Sequence, residues 1–354
     1  MPPGKPTLCI VNYNGVSFLP TTLAAAVAAA DAFAEILLID NASTDDSVAL
    51  AERDFPQVRI HRMPDNRGPG AMRNAGLEVA RSDVILFIDN DVSVTPDCGP
   101  LLAQALHERP TAAIAAARVL YAHRPDTIQY DGASSHFLGL MTLENPDRPL
   151  AAADQGVRTT LSVVTCAFMV DRRRLPEPAP FDEAFFIYQD DHDFGVRMRA
   201  LGADIISVPR AVVLHGDGSD GISIRKTGTY SAQRVFWNIR NRWLFILKTY
   251  QTRSLLVLLP VLLLYELAQL AIVVRKGWLG EWRKAVAWVV GNWGEVMGKR
   301  RSVQQRRVRP DRELLAGGAL PLRAELTTSA VQRGLRALLD GMAALYWRAA
   351  SRLI

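Results

Sequence analysis

The sequence predicts an α/β fold for its first 222 residues, followed by a basic, tryptophan-rich helical region over 223–354. In the first part, short apolar runs alternate with helix-compatible stretches, the rhythm of a sheet with helical crossovers. Each run also breaks abruptly into Asn or Asp. In open α/β sheets, ligands bind outside the carboxyl ends of the strands. The clearest case is DVILFIDNDVSV at 83–94, where residues 84–88 have the length of a fully buried strand and lead into Asp89, Asn90 and Asp91.

Taken in order, residues 8–11 are the first strand, ending at Asn12, Tyr13, Asn14 and Gly15, and the Ala-rich stretch from 19 to about 30 is the returning helix. Residues 35–39 are the second strand and end at Asp40 and Asn41. Ser43, Thr44, Asp45 and Asp46 supply caps for a helix starting near Ser47. Residues 58–61 form a third short strand, followed by DNRGPGAMRNAG at 65–76. Asn12, Asp40, Asn66 and Asp89 then share one rim. Gly68 and Gly70 let backbone approach a ligand, and a helix beginning near Ala71 points its N-terminus at that rim, where a diphosphate is favoured. Arg73 would lie in the first turn, where a cation opposes the helix dipole; a phosphate contact and simple solvation are both open readings. The dinucleotide fingerprint G-x-G-x-x-G and the P-loop are absent.

Asp89 and Asp91, at i and i+2, suit a hard divalent cation shared with nucleotide phosphates, or merely an Asx-turn. A second cluster lies at 180–202, PFDEAFFIYQDDHDFGVRMRALG. Phe194, Met198 and Leu201 have helical spacing, and Gly202 closes the helix, which puts Asp190, Asp191 and Asp193 at its first turn. One carboxylate there is explained by the dipole; three exceed what capping requires, and one is expected to be a general base. His215 ends the apolar run 211–214, either completing a metal site with Asp91 or serving as an ordinary satisfied histidine.

Composition bounds the rest. A chain with 49% hydrophobic and 22% charged residues is foldable, and Cys9, Cys98 and Cys166 have neither metal-site nor disulfide spacing, which suits a reducing compartment. No signal peptide is expected at the N-terminus. The net charge of +5 divides into −11 over 1–222 and +16 over 223–354, and all seven tryptophans fall in the second part. Its apolar runs favour an anionic membrane surface over nucleic acid. Residues 254–274 are long enough to span a bilayer, but Pro260, Glu266 and Gln269 interrupt them and Arg253, Arg275 and Lys276 bracket them. Interfacial helices with tryptophans at headgroup depth and arginines on anionic lipid are favoured over a span, with a soluble helical bundle as the plain alternative.

Six pieces in order, CIVNYNG, LLIDNASTDDS, DNRGPGAMRNAG, LFIDNDV, FDEAFFIYQDDHDFGVRMRALG and VVLHGDGSDG, cover about residues 7–230. With them the chain resembles family 2 glycosyltransferases, most closely the rhamnosyltransferase-like branch that builds cell-surface polysaccharides. The resemblance implies a GT-A fold, with a donor side at about 1–110 and an acceptor side at about 111–222. It also implies a nucleotide-diphospho-sugar donor such as dTDP-rhamnose, a Mg2+ or Mn2+ ion, inversion at the anomeric carbon, and a glycan or lipid-linked acceptor at the cytoplasmic face of the inner membrane. By the same resemblance Asp40 reads the base, with Asn12, Asn14 and Asn41 nearby. Asn66, Gly68, Arg73 and Asn74 form the donor-binding loop, Asp89 contacts ribose or sugar, and Asp91 and His215 hold the metal. Asp191 is the base, and Asp190 stands where the family has Glu. The alternatives are an inactive membrane-attached scaffold that binds nucleotide sugars, and a sugar nucleotidyltransferase. The latter lacks its Gly-rich loop here, since NYNGVSF follows the first strand.

Overall fold

The computed structural model describes residues 4–216, 231–320 and 330–354; the tail of the VVLHGDGSDG motif, from Asp217 on, lies outside them. The chain divides into two compact units. The first comprises Met1–Ala133, Leu143–Met198 and Ala203–Ser231, and the second Ser134–Thr142, Arg199–Gly202 and Ala232–Ile354.

In the first unit, β1 (Thr7–Asn12), β2 (Glu35–Asp40), β3 (Arg59–Arg62) and β4 (Val84–Asp89) run parallel in the order β4-β1-β2-β3. Helices α1 (Leu19–Ala28), α2 (Ser47–Asp54) and α3 (Gly68–Val79) return the chain between them. Leu8, Ile10, Leu38, Leu86 and Ile88 are wholly buried, as runs without alternation require in a sheet covered on both faces. The register sets Asn12 opposite Asp40 and Val11 opposite Asp89, so the polar strand ends meet on one edge.

The rest of the sheet is mixed. After β5 (Val92–Val94) and α4 (Cys98–Glu108), β6 (Ala112–Tyr121) and β7 (Arg124–Tyr130) form an antiparallel pair. β11 (Ala167–Asp171) inserts antiparallel between β4 and β6, and β12 (Asp204–His215) pairs parallel with β6. β10 (Arg158–Thr159) closes this edge beside β12. β12 carries Pro209 inside a register break between Val208 and Val212, where a missing N–H leaves no ladder bond unmade. The segment after β7 is tied down by Asp131, whose wholly buried carboxylate receives Arg118 Nε and Nη2 at 3.1 and 2.8 Å and Asn145 Nδ2 at 3.0 Å. These residues belong to the region assigned to the acceptor side.

The second unit is built on helices Ala232–Thr249, Thr252–Arg275, Leu279–Gly291, Trp293–Arg306 and Ala330–Ala350, with the hairpin of β8 (Ala133–His136) and β9 (Leu140–Leu143). Arg240 lies 4.5 Å from the Trp237 ring centre and 4.3 Å from that of Trp288, and Phe137 stacks on Trp347 at 5.3 Å. Much of the crowding of Trp with Arg is therefore internal cation–π packing. Trp293 is half exposed.

Candidate active site

The rim of the parallel strands is a continuous polar network. Asn12, fully buried, donates from Nδ2 to Asp40 Oδ1 at 2.9 Å and Ser47 Oγ at 3.0 Å, and its Oδ1 accepts from Asn90 at 2.8 Å. A Cβ on Gly15 would stand 2.2 Å from Asn90 Nδ2 and 2.3 Å from Asn12 Oδ1, so only glycine leaves room for this bridge. Asp40 also accepts Ser43 N at 3.0 Å, and Asn14 Oδ1 accepts Thr44 N at 2.8 Å. Asn41 donates to Asn66 Oδ1 at 2.8 Å and accepts from Arg67 N at 3.0 Å, which fixes the loop entering α3. Asn12 thus holds Asp40 and Asn90 in place on the rim assigned to the donor. The Asn74 amide donates to Phe181 O at 2.9 Å and accepts from Phe181 N at 3.0 Å, clamping the strap before α5 (Asp190–Ala200).

Helix α3 begins at Gly68 rather than near Ala71, because Pro69 suits the first turn and lacks the N–H that would go unpaired there. Arg73 consequently lies in the second turn and is 3% exposed. It donates from Nη2 to Asp89 Oδ1 at 2.7 Å and Thr165 O at 3.0 Å, and its Nη1 stands 3.6 Å from Asp190. Its charge faces the carboxylates of the site. Gly68 has φ +84°, and a Cβ there would come within 2.0 Å of Phe186 O. Gly68→Ala is expected to cost about 1–3 kcal/mol in left-handed strain alone, with displacement of the Phe186 loop added, read as a lowered denaturation midpoint.

An aromatic column seats α5 beside the end of β4. Phe87 stacks on Phe168 at 5.3 Å, Phe168 lies 5.7 Å from Phe194, and Phe194 stacks on Phe181 at 4.2 Å. The chain enters α5 through Phe186, Tyr188 and Gln189, all at φ near +60° and none glycine, a strained approach of the kind held at working sites. It delivers Asp190 and Asp191 to the helix's first turn. Burial raises the Asp190 pKa, with Asp89 adding to the rise and Arg73 opposing it. Burial and then the charge of Asp190 push Asp191 up to about 7. A carboxylate poised there takes a proton well at neutral pH.

Asp91 and His215 meet because β5 pairs antiparallel with the end of β12, setting Val92 opposite His215, and Gly216 N bonds Asp91 O at 2.9 Å. Asp91 Oδ1 and His215 Nε2 stand 3.4 Å apart. Two ligands at right angles, each about 2.1 Å from one ion, would lie about 3 Å apart, so this pair fits a shared divalent cation. Among the described residues no third His, Cys, Asp or Glu joins them, and phosphate oxygens and water would fill the remaining positions. Burial alone would lower the His215 pKa, but Cys166 and the Asp91 carboxylate outweigh it and raise it to about 10. A cation taking both side chains would have to displace that proton from His215.

Gln129, which carried no sequence signal, bonds His215 Nδ1 through Oε1 at 2.8 Å and orients the ring so that Nε2 faces Asp91. Gln129→Leu is expected to weaken Mn2+ binding about 10–100-fold by titration calorimetry, with Gln129→Glu retaining most of it.

Residues 7–175, just under half of the chain, match the family model described as Glycosyl transferase family 2. It is 35% identical over 92 residues to the succinoglycan biosynthesis protein ExoO of Rhizobium meliloti (strain 1021), a match covering 26% of each chain. With the O-antigen biosynthesis protein RfbC of Myxococcus xanthus it shares 24% identity over 196 residues, 52% of this chain and 15% of that protein. The matched stretch thus spans about a quarter or less of these curated relatives' length. In three dimensions the chain resembles the crystal structure of GalNAc-T7 with UDP, GalNAc and Mn2+, at a TM-score of 0.57 and 16% identity, over 71% of this chain and 49% of that one. The fold is GT-A, a mixed, mainly parallel sheet with flanking helices.

Proposed function

We propose that the protein is an inverting glycosyltransferase that moves a sugar from a nucleotide-diphospho-sugar to a hydroxyl of a lipid-linked or polysaccharide acceptor in cell-surface glycan synthesis. The observation that carries this reading is Asp191, with a pKa near neutrality, in the same charged cluster as Asp190, Arg73 and Asp89 at the carboxyl end of β4. A sugar hydroxyl is a poor nucleophile until its proton is taken. Asp191 accepts that proton as the oxygen attacks the anomeric carbon, while Arg73 keeps Asp89 and Asp190 compensated within a buried site. Asp40, Asn41 and Asn66 hold the rim on which the nucleotide lies, and Asp91 and His215 would hold Mg2+ or Mn2+. When bound, that ion offsets charge on the departing diphosphate.

Support for a sugar-nucleotide donor and a divalent ion comes from the family match and from the UDP and Mn2+ in the related GT-A structure. Support for a cell-surface product comes from relatives named for succinoglycan and O-antigen biosynthesis. A preference for dTDP-rhamnose rests on the sequence resemblance alone. The basic second unit would place the site at the cytoplasmic face of an anionic membrane, beside lipid-linked acceptors.

The test is a donor screen by thermal shift with Mn2+ present, including dTDP-rhamnose, UDP-sugars and GDP-mannose. A true donor at about 100 times its dissociation constant stabilises the fold by about 2.7 kcal/mol. No shift with any nucleotide sugar would reject the reading.

A further inference from the structure

Within the second unit, the helix Thr252–Arg275 exposes large apolar side chains along its length. Leu256, Leu259, Leu263, Leu264, Leu267 and Ile272 are between 46% and 69% exposed. At about 1.5 Å per residue, Leu256 to Ile272 covers about 24 Å. The one carboxylate of the helix, Glu266, ion-pairs with buried Arg242 of the helix Ala232–Thr249. Ser254, Leu258 and Leu262 also face inward. The helix Ala330–Ala350 widens the apolar ridge: the Tyr346 hydroxyl donates to Val257 O, and Leu338, Met342 and Leu345 are 54–70% exposed. Exposed Arg253, Arg275 and Lys276 stand at the two ends of the longer helix.

We propose that this two-helix ridge is a seat for one leaflet of an anionic bilayer, with the helix Thr252–Arg275 lying in the membrane plane rather than crossing it. Soluble proteins rarely expose so long an apolar surface without a partner. A crossing helix is surrounded by lipid, whereas this one keeps a polar side committed to Arg242, and detaching it would strip Glu266 of its partner in hydrocarbon. A second copy of the chain would bring the same cations against each other, while phosphate headgroups complement them. The inference deepens the membrane part of the proposed function and does not depend on the sugar chemistry.

The test uses the full chain with phosphatidylcholine vesicles, with and without phosphatidylglycerol. Flotation should be strong on the anionic vesicles and fall on the order of tenfold or more in Leu263→Asp/Leu267→Asp and in Leu345→Asp. Unchanged flotation overturns the proposal, as does a lipid-free dimer that the same substitutions disperse. Arg253→Cys and Lys276→Cys then separate plane from span without altering the ridge, since Cys9, Cys98 and Cys166 are buried. On vesicle-bound protein an impermeant maleimide should label both positions from outside; protection of one of them means a span and overturns the in-plane seat. The donor-induced thermal shift, measured on the same variants without lipid, should persist. Its absence already in the unsubstituted chain would count against the sugar-transfer reading and leave the membrane result standing.

Discussion

Asp191→Asn is expected to cut turnover about 100-fold or more, because general-base catalysis contributes on the order of 10² to 10⁴, while donor affinity stays close to that of the unsubstituted protein. The side chain sits in the first turn of α5, in the same charged cluster as Asp190 and Asp89. The pH profile carries the same signature. Burial and the Asp190 charge raise the Asp191 pKa to about 7, so the working carboxylate is lost by protonation as pH falls below that point. The rate should therefore climb with pH through about 7, and the substituted protein should lose that limb along with most of its rate. Should Asp190→Asn prove the more damaging change, the proton passes to Asp190, and the replacement of the family's Glu has shifted the base by one residue.

Asp91→Asn should abolish Mn2+-dependent transfer, with a loss larger than the 10–100-fold expected of its orienting neighbour Gln129. Asp91 faces His215 from a strand end, outside the core clusters under β4 and β1, so the fold should persist, with a melting temperature lowered by loss of the buried Asp91–His215 pair. Two measurements check the metal role independently of turnover: Mn2+ titration calorimetry on the variant, and proton release on Mn2+ addition to the unsubstituted protein, which His215 predicts. Full transfer in the presence of EDTA would remove the ion from the account.

Strands β1, β2 and β4 were legible because each is a continuous apolar run closed by Asn or Asp, and residues 65–76 announced a helix start through their glycines. The strand Ala112–Tyr121 was not legible. Its AAIAAARVLY reads as a helix former in isolation, and only pairing with β7, β11 and β12 makes it a central strand. Nor could periodicity reveal that β11, about eighty residues after β4, slots antiparallel beside it, since that pairing is set by tertiary contacts such as Phe87 on Phe168.

The site divides along the same line. Asp89, Asp91, Asp190, Asp191 and His215 stand out because carboxylates and a histidine ending apolar runs are chemically conspicuous. Arg73 was visible, but its bond to Asp89, sixteen residues on, was not, because that bond exists only after α3 folds back over β4. Gln129 gave no signal at all. A lone Gln on a strand is unremarkable until the β7–β6–β12 order brings it to His215.

The most direct test of a single displacement assisted by Asp191 is the anomeric configuration of the product, followed by proton NMR during turnover of the donor found in the thermal-shift screen, with Mn2+ present. A product of inverted configuration, formed by the unsubstituted protein and lost in Asp191→Asn, is the predicted result. A product that keeps the donor's configuration would contradict it.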